Sequence, residues 1–447
     1  MEPSDQFKMA LDAYEGILAG QSNRQGSGAE DEARRFVEMM MPGFSVVYEE
    51  YLTRQRHMVE TIRFGDLVKK DGGYTSWYSG PRSAVGVWPR YRDALQAKLP
   101  KAAAQDIDAS TSRILSRCAN PKEPGDRRKG LVIGYVQSGK TANYAGLIAK
   151  AVDAGYRIIV VLAGMYTNLR AQTQIRLETD LGVTDVSART GTAWHPLTDK
   201  DSDIGPKAGV SVVTGTENVA VLMVVKKHER RLANVAAFLK RIPEEVRQRR
   251  GVLIIDDESD QATPNTQSER DLVSTINQRV RDIWKEVRTG TYVAYTATPF
   301  ANVFIDPDDA EDLYPEDFAM VLPKPDGYMG ADSFFNVAQT ADADEDEAIY
   351  SLARVVEADE AAELGPQSRD LASFEPSVTE SLDDAIRWFV LATAIRQIRV
   401  GHPSHSSMLL HTSHRVTAHE RLKDAVSDFT ATLALNREAE EAAFKRV

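Results

Sequence analysis

Eight consecutive residues, Gly134-Tyr135-Val136-Gln137-Ser138-Gly139-Lys140-Thr141, have the types and spacing of a phosphate-binding loop. Glycines let backbone N–H groups come close to phosphate oxygens, and a helix that begins at the end of the loop turns its positive pole toward them. In this pattern Gly134, Gln137, Ser138 and Gly139 cradle the phosphates. Lys140 reaches the β- and γ-phosphates, and the Thr141 hydroxyl binds magnesium. ATP and magnesium are the cofactors this chemistry calls for. The context supports it, because the loop lies between a short apolar run, Leu131-Val132-Ile133, and a helical pattern from Ala142 to Ala154.

A second group of residues could supply the hydrolytic chemistry. The apolar run Val252-Leu253-Ile254-Ile255 ends in Asp256-Asp257-Glu258-Ser259-Asp260. A buried strand of this kind delivers a carboxylate to the magnesium shell, with Asp257 preferred and Asp256 the alternative. Glu258 then stands where it can orient and deprotonate an attacking water. Further on, the run Tyr292 to Tyr295 leads into Thr296-Ala297-Thr298-Pro299. Leu169-Arg170-Ala171-Gln172 follows the apolar run that ends at Gly164; it reads either as an ordinary surface helix or, by resemblance to helicase-like motors, as their first strand-contacting motif, with Arg170 and Gln172 the candidate contacts.

These residues need a scaffold, and the hydrophobic pattern provides one. Apolar runs at Tyr156–Ala163, Val210–Val213, Val219–Val225, Val252–Ile255 and Tyr292–Tyr295 read as strands. A helical pattern spans Asn168–Leu181. Strands alternating with helices at this spacing predict a doubly wound, mainly parallel sheet over residues 129–305, a RecA-like P-loop NTPase domain of the α/β class. Residues 1–120 read as a mostly helical accessory region, with Phe7, Leu11, Tyr14 and Leu18 at helical spacing and another helix at Phe36–Met41. Residues 306–380, with acidic stretches such as Asp342–Glu347, read as an insertion or linker. At Ser381 an amphipathic helix carrying Ala385, Phe389, Ala392 and Ile395 resumes the pattern. A strand at Ser407–Leu410 and a helix at His419–Leu433 then follow, so residues 381–447 are expected to open a second, incomplete α/β domain.

The composition sets limits on function. The formal net charge of −12 argues against a surface coated for nucleic acid, while leaving room for a local basic track. Lys226-Lys227-His228-Glu229-Arg230-Arg231, Lys240-Arg241 and Arg247-Gln248-Arg249-Arg250 could form one, or could be solvated helix faces. No apolar run approaches the roughly 20 residues of a membrane helix. The first residues lack a secretory pattern, and Cys118 is the single cysteine. A cytoplasmic protein without a disulfide framework is expected. The tryptophans Trp77, Trp88 and Trp194 read as core or loop anchors. The irregularly spaced His402, His405, His411, His414 and His419 read as structural rather than metal-binding.

The spelling Asp257-Glu258-Ser259-Asp260 resembles the DEAD-type box of superfamily two helicases, and Thr296-Ala297-Thr298 resembles the motif that couples hydrolysis to nucleic acid in that superfamily. That resemblance implies coupling roles for Asp260, Thr296 and Thr298. More closely, Gly134 through Tyr144, Asn168-Leu169-Arg170-Ala171-Gln172-Thr173-Gln174 and Thr296 through Asn302 resemble the Z-one (Z1) domain family of bacterial proteins, as does the chain from Ser381 through Met408-Leu409-Leu410-His411-Thr412-Ser413. In that family a helicase-like ATPase precedes the Z1 region. Its members are often labelled endonucleases and are linked to restriction-like, anti-phage gene clusters. The resemblance implies a nucleic-acid-stimulated ATPase that hydrolyses ATP to ADP and phosphate and acts on DNA with other proteins of a defence system. Two alternatives remain open at this point: a nucleotide-dependent module that recruits a partner nuclease, and an endonuclease whose metal site the sequence does not reveal.

Overall fold

Strands of a sheet covered on both faces must be apolar on both sides, and they read as continuous hydrophobic runs. The computed structural model shows this arrangement. It describes residues 13–14, 35–39, 41–44, 68–69, 76–81, 85–136, 139–185, 191–215, 218–261, 263, 270–299, 302, 312–330, 333–334, 354–366, 371, 373–401, 405–413, 415–435, 441 and 444. The described chain divides into two units, Met1–Tyr328 and Met329–Val447.

The first unit holds an eight-stranded sheet. In chain order its strands are β1 (Val68–Lys69), β2 (Arg127–Ile133), β3 (Tyr156–Ala163), β4 (Ala193–Pro196), β5 (Val219–Val225), β6 (Gly251–Asp257), β7 (Gly290–Thr296) and β8 (Phe318–Val321). In space the order is β1-β8-β2-β7-β6-β3-β5-β4. Seven strands, β2 to β8, run parallel, and only the two-residue β1 is antiparallel, against β8. This is an α/β fold consistent with the RecA-like expectation. Because β7 lies between β2 and β6, the ends of all three strands emerge side by side.

Alternate residues along each strand feed two separate cores, as the period of two requires. Ile159, Val161, Leu253 and Ile255 face a core shared with α1 (Val87–Lys98), α2 (Lys101–Arg117), α3 (Lys140–Ala154) and α4 (Thr167–Leu181). Ile158, Val160, Val252 and Ile254 face the opposite core, beside the helices numbered α6 (Glu229–Arg241) and α8 (Arg270–Glu286). Two short helices, α5 (Ser211–Gly215) and α7 (Glu244–Arg249), complete the connections.

Three features differ from the expectation. Residues Val210–Val213 form no strand: Ser211–Gly215 is helical, and a four-residue stretch is too short for periodicity to tell the two apart. The sheet also extends past residue 305, because β8 pairs with β2 over Gly130–Ile133. Gly130 explains how, since a Cβ there would stand 2.1 Å from the Phe318 ring, so only glycine lets β8 lie this close. Finally, α1 and α2 are not an appendage but part of the core, with Trp88, Tyr91, Ile114 and Leu115 buried in it. The helix expected at Phe36–Met41 is present over residues 35–39, and most of Phe7–Leu18 lies outside the described residues.

Two side chains of α3 fix these helices. The Asp153 carboxylate accepts the N–H groups of Val87 and Trp88, each at 2.8 Å, and so caps α1. Lys150 is buried, pairs with Asp108, and donates to Ser112 Oγ at 2.7 Å. Its ammonium sits 3.9 Å from the centre of the Trp88 ring.

The second unit contains α9 (Ala358–Leu364), α10 (Glu380–Val400) and α11 (Val416–Leu435), gathered on Leu364, Leu382, Ile386 and Leu422. The strand expected at Ser407–Leu410 is absent, and residues 405–413 have no regular structure. No helix among the described residues is long and apolar enough to cross a membrane.

Candidate functional site

The phosphate-loop pattern begins where β2 ends. Gly134 N–H donates to the Thr296 carbonyl at 2.9 Å, which ties the start of the loop to the end of β7. Tyr328 steadies the loop from the other side: its hydroxyl donates to the Val136 carbonyl at 2.9 Å, and its ring centre lies 5.2 Å from that of Tyr135. Gly139 caps α3 in the left-handed conformation, with φ of 93°, which glycine adopts without strain. Lys140 opens the helix and is 7% exposed. Gln137 and Ser138 lie outside the described residues.

The carboxylates arrive from β6, two strands away. Asp256 is fully buried and paired: Lys227 Nζ is 2.7 Å from Oδ1, and the Tyr292 hydroxyl donates to Oδ2 at 2.6 Å. Asp257 points the other way, since side chains alternate along a strand. It accepts the Tyr144 hydroxyl at 3.0 Å, and Thr141 interacts with that same hydroxyl. Of the two candidates for a cation ligand, Asp257 is therefore the one brought to the end of α3. Burial, and then the charge of Glu258, raise its carboxyl above the ordinary range.

Glu258 occupies the turn that follows. Its Oε1 lies 3.8 Å from Lys140 Nζ. Its backbone has φ of 49°, a conformation costly for a residue with a Cβ and one that persists only where the surroundings impose it. The surroundings here are Lys227 Nζ, which donates to the Glu258 carbonyl at 2.7 Å and the Gln261 carbonyl at 3.3 Å, and the Ser259 N–H, which donates to the Tyr295 carbonyl at 3.0 Å.

Asp260, Thr296 and Thr298 also come together. The hydroxyls of Thr296 and Thr298 donate to the two carboxylate oxygens of Asp260, each at 2.7 Å, and Thr298 N–H donates to Thr296 Oγ1 at 2.9 Å. The end of β7 and the turn after β6 are thereby linked by side chains as well as by the Ser259–Tyr295 backbone bond.

Arg170 requires a correction. It is 2% exposed, and its guanidinium donates to the carbonyls of Asp199 at 2.8 Å, Lys200 at 2.7 Å and Val224 at 3.3 Å. Those bonds hold the loop after β4, and no face is left for a nucleic-acid strand. Gln172 is exposed. The basic stretch beginning at Lys226 is likewise divided, because Lys227 is buried with Asp256. Arg247, in another of these stretches, is engaged by Glu244 and Glu286.

Sequence reasoning missed Lys227 and Tyr144. A signal for Lys227 existed in its place directly after the apolar run of β5, where a parallel sheet delivers side chains to its carboxyl edge. For Tyr144 the signal is its position one turn after Lys140.

The comparison with protein families concerns the second unit. Residues 381–446 match the Z1 domain. No curated protein matches the chain. The Z1 match takes in α10 and α11 and the segment between them. There the rings of His411 and His419 lie 5.5 Å apart, while His402 and His414 lie outside the described residues. Among the described residues no three His, Cys, Asp or Glu side chains gather as a metal site.

Proposed function

We propose that the first unit is an ATPase of the helicase-like kind, using magnesium to hydrolyse ATP to ADP and phosphate at the carboxyl edge of the sheet. The observation that carries this reading is the approach of Glu258 to Lys140, 3.8 Å apart, with Asp257 beside them. A cation and two carboxylates at the N-terminus of a helix are the parts that phosphoryl-transfer chemistry uses.

Each side chain has a task that follows from its place. Lys140, at the positive end of α3, neutralises phosphate charge and holds the terminal phosphate next to Glu258. Glu258 orients a water for attack and accepts its proton. Asp257 and Thr141, which share the Tyr144 hydroxyl, are the residues that would hold magnesium. They fit it, since Asp257 is buried beside the second carboxylate of Glu258, an acidic excess that a divalent cation offsets. When bound, magnesium supplies charge stabilisation to the phosphates. The Asp260–Thr296–Thr298 link makes any shift at the hydrolytic turn felt at the end of β7.

Action on DNA, stimulation by nucleic acid and a part in bacterial anti-phage or restriction-like defence with partner proteins belong to the proposal on the strength of the resemblance of the motifs to Z1 proteins alone. The test of the site is binding. Wild type is expected to bind magnesium ATP and Lys140→Ala to lose that binding, while tight binding by Lys140→Ala would remove the site assignment.

A further inference from the structure

Tyr144 follows Thr141 by three residues, so both side chains lie on one face of α3. Its ring is fully buried in the core beside that helix, and its hydroxyl donates to Asp257 Oδ2 at 3.0 Å. The other carboxylate oxygen, Oδ1, accepts the Glu258 N–H at 3.1 Å. Hydrogen bonds on both oxygens fix the plane of the Asp257 carboxylate. An ionised carboxylate offers about four acceptor sites, so each oxygen keeps room for a further partner.

The place of the Tyr144 hydroxyl is itself determined by its surroundings. The ring meets Tyr295 edge to face, with centres 5.6 Å apart and planes at 74°. Tyr295 is fully buried on β7, where the sheet register pairs it with Asp257 of β6. Its hydroxyl donates to Asn143 Oδ1 at 2.9 Å, and the Asn143 amide donates to Ser110 Oγ of α2 at 2.8 Å. Asn143 thus anchors Tyr295, and Tyr295 in turn limits how the Tyr144 ring can tilt.

We propose that Tyr144 is a positioning residue that fixes Asp257 for a small octahedral cation and so makes the site select magnesium over calcium. This inference rests on the phosphate and magnesium reading given above. Magnesium demands near-ideal octahedral geometry, with ligands at about 2.0–2.1 Å. Calcium accepts about six to eight oxygens in flexible arrangements and often takes both oxygens of one carboxylate. A carboxylate held at both oxygens presents each of them in a fixed direction and resists turning to chelate. That suits magnesium and disfavours calcium. Removing a partner that orients a metal ligand typically costs about 10–100-fold in metal affinity. Tyr144→Phe removes the hydroxyl and leaves the ring and its contact with Tyr295.

The test is titration calorimetry of the 447-residue chain with the β,γ-imido analogue of ATP. The analogue is supplied as its magnesium complex, as its calcium complex, and metal-free in EDTA. Wild type is expected to bind the magnesium complex at least ~10-fold tighter than the calcium complex. Tyr144→Phe is expected to lose about 10–100-fold for the magnesium complex and to keep its affinity for the other two forms. Unchanged binding of the metal-free analogue also certifies the fold of the variant. Tyr295→Phe, which keeps the ring contact but loses the bond to Asn143, is expected to narrow the same preference by less. Equal affinity of wild type for the two complexes, or an unchanged preference in either variant, would overturn the role of Tyr144 alone. An equal loss of all three affinities in Tyr144→Phe would do the same, since it marks a merely structural residue. Failure of wild type to bind the analogue in any form would overturn the phosphate site, and this inference with it.

Discussion

Lys227 and Asp256 form an ion pair at 2.7 Å in which both side chains are fully buried, directly beneath the turn that carries Glu258. The same ammonium donates to the Glu258 carbonyl at 2.7 Å. One cation thus neutralises the last-but-one residue of β6 and fixes the left-handed residue that follows it. Removing the cation leaves an uncompensated buried carboxylate, a loss of about 3–5 kcal/mol. Lys227→Met is therefore expected to lower the denaturation midpoint strongly, and Lys227→Met with Asp256→Leu to recover a large part of the loss. Chemical denaturation of the three proteins measures both effects.

A separate expectation concerns Asp260. Its two oxygens accept the hydroxyls of Thr296 and Thr298, and hydrogen bonds to a charged group contribute about 1.5–3 kcal/mol each. Asp260→Ala breaks both, whereas Asp260→Asn retains a partner for at least one hydroxyl. ATP binding is expected to survive in both variants, because neither touches Lys140. Turnover is expected to fall at least ~10-fold in Asp260→Ala and less in Asp260→Asn, as steady-state phosphate release would show.

Stability should depend on pH through Lys150. Burial lowers its pKa to about 8 from the ordinary 10.5, against the opposing pull of Asp108. Below pH 8 the ammonium is charged in both folded and unfolded chains, and the cost of burying it is constant. Between about 8 and 10.5 the unfolded chain binds more protons than the folded one, so the contribution of this residue to stability rises with pH. Relative to Lys150→Met, wild type should gain up to about 3 kcal/mol across that window. Parallel urea titrations at pH 7, 8.5 and 10 test this, and a flat difference would place the Lys150 pKa near its ordinary value.

Much of the fold could be read from the sequence, for identifiable reasons. The strand at Val219–Val225 is apolar throughout because both of its faces are covered, and its expected and observed limits coincide. That Lys140 and Glu258 come within 3.8 Å of each other could be anticipated, because a loop spacing and an apolar run with an acidic end are local signals. What escaped depends on distant partners. Arg170 on a polar helix looks exposed, yet the carbonyls that bury it lie 29 to 54 residues further along the chain. The short strand β8 sits in an acidic stretch, and its place in the sheet depends on Gly130, nearly two hundred residues earlier. The partners of Asp256, Lys227 and Tyr292, lie far along the chain from it, and on the proposed reading they leave Asp257 as the carboxylate for a cation.

The most direct test of the account is ATP turnover by the chain, with and without single- and double-stranded DNA, beside Glu258→Gln. Wild type is expected to hydrolyse ATP faster when DNA is added. Glu258→Gln is expected to bind ATP normally while turnover falls by roughly 10²–10⁴-fold, the usual contribution of a positioned base. Equal turnover by wild type and Glu258→Gln would contradict the assignment of Glu258. Hydrolysis indifferent to DNA would contradict the nucleic-acid role and favour nucleotide-controlled recruitment of a protein partner.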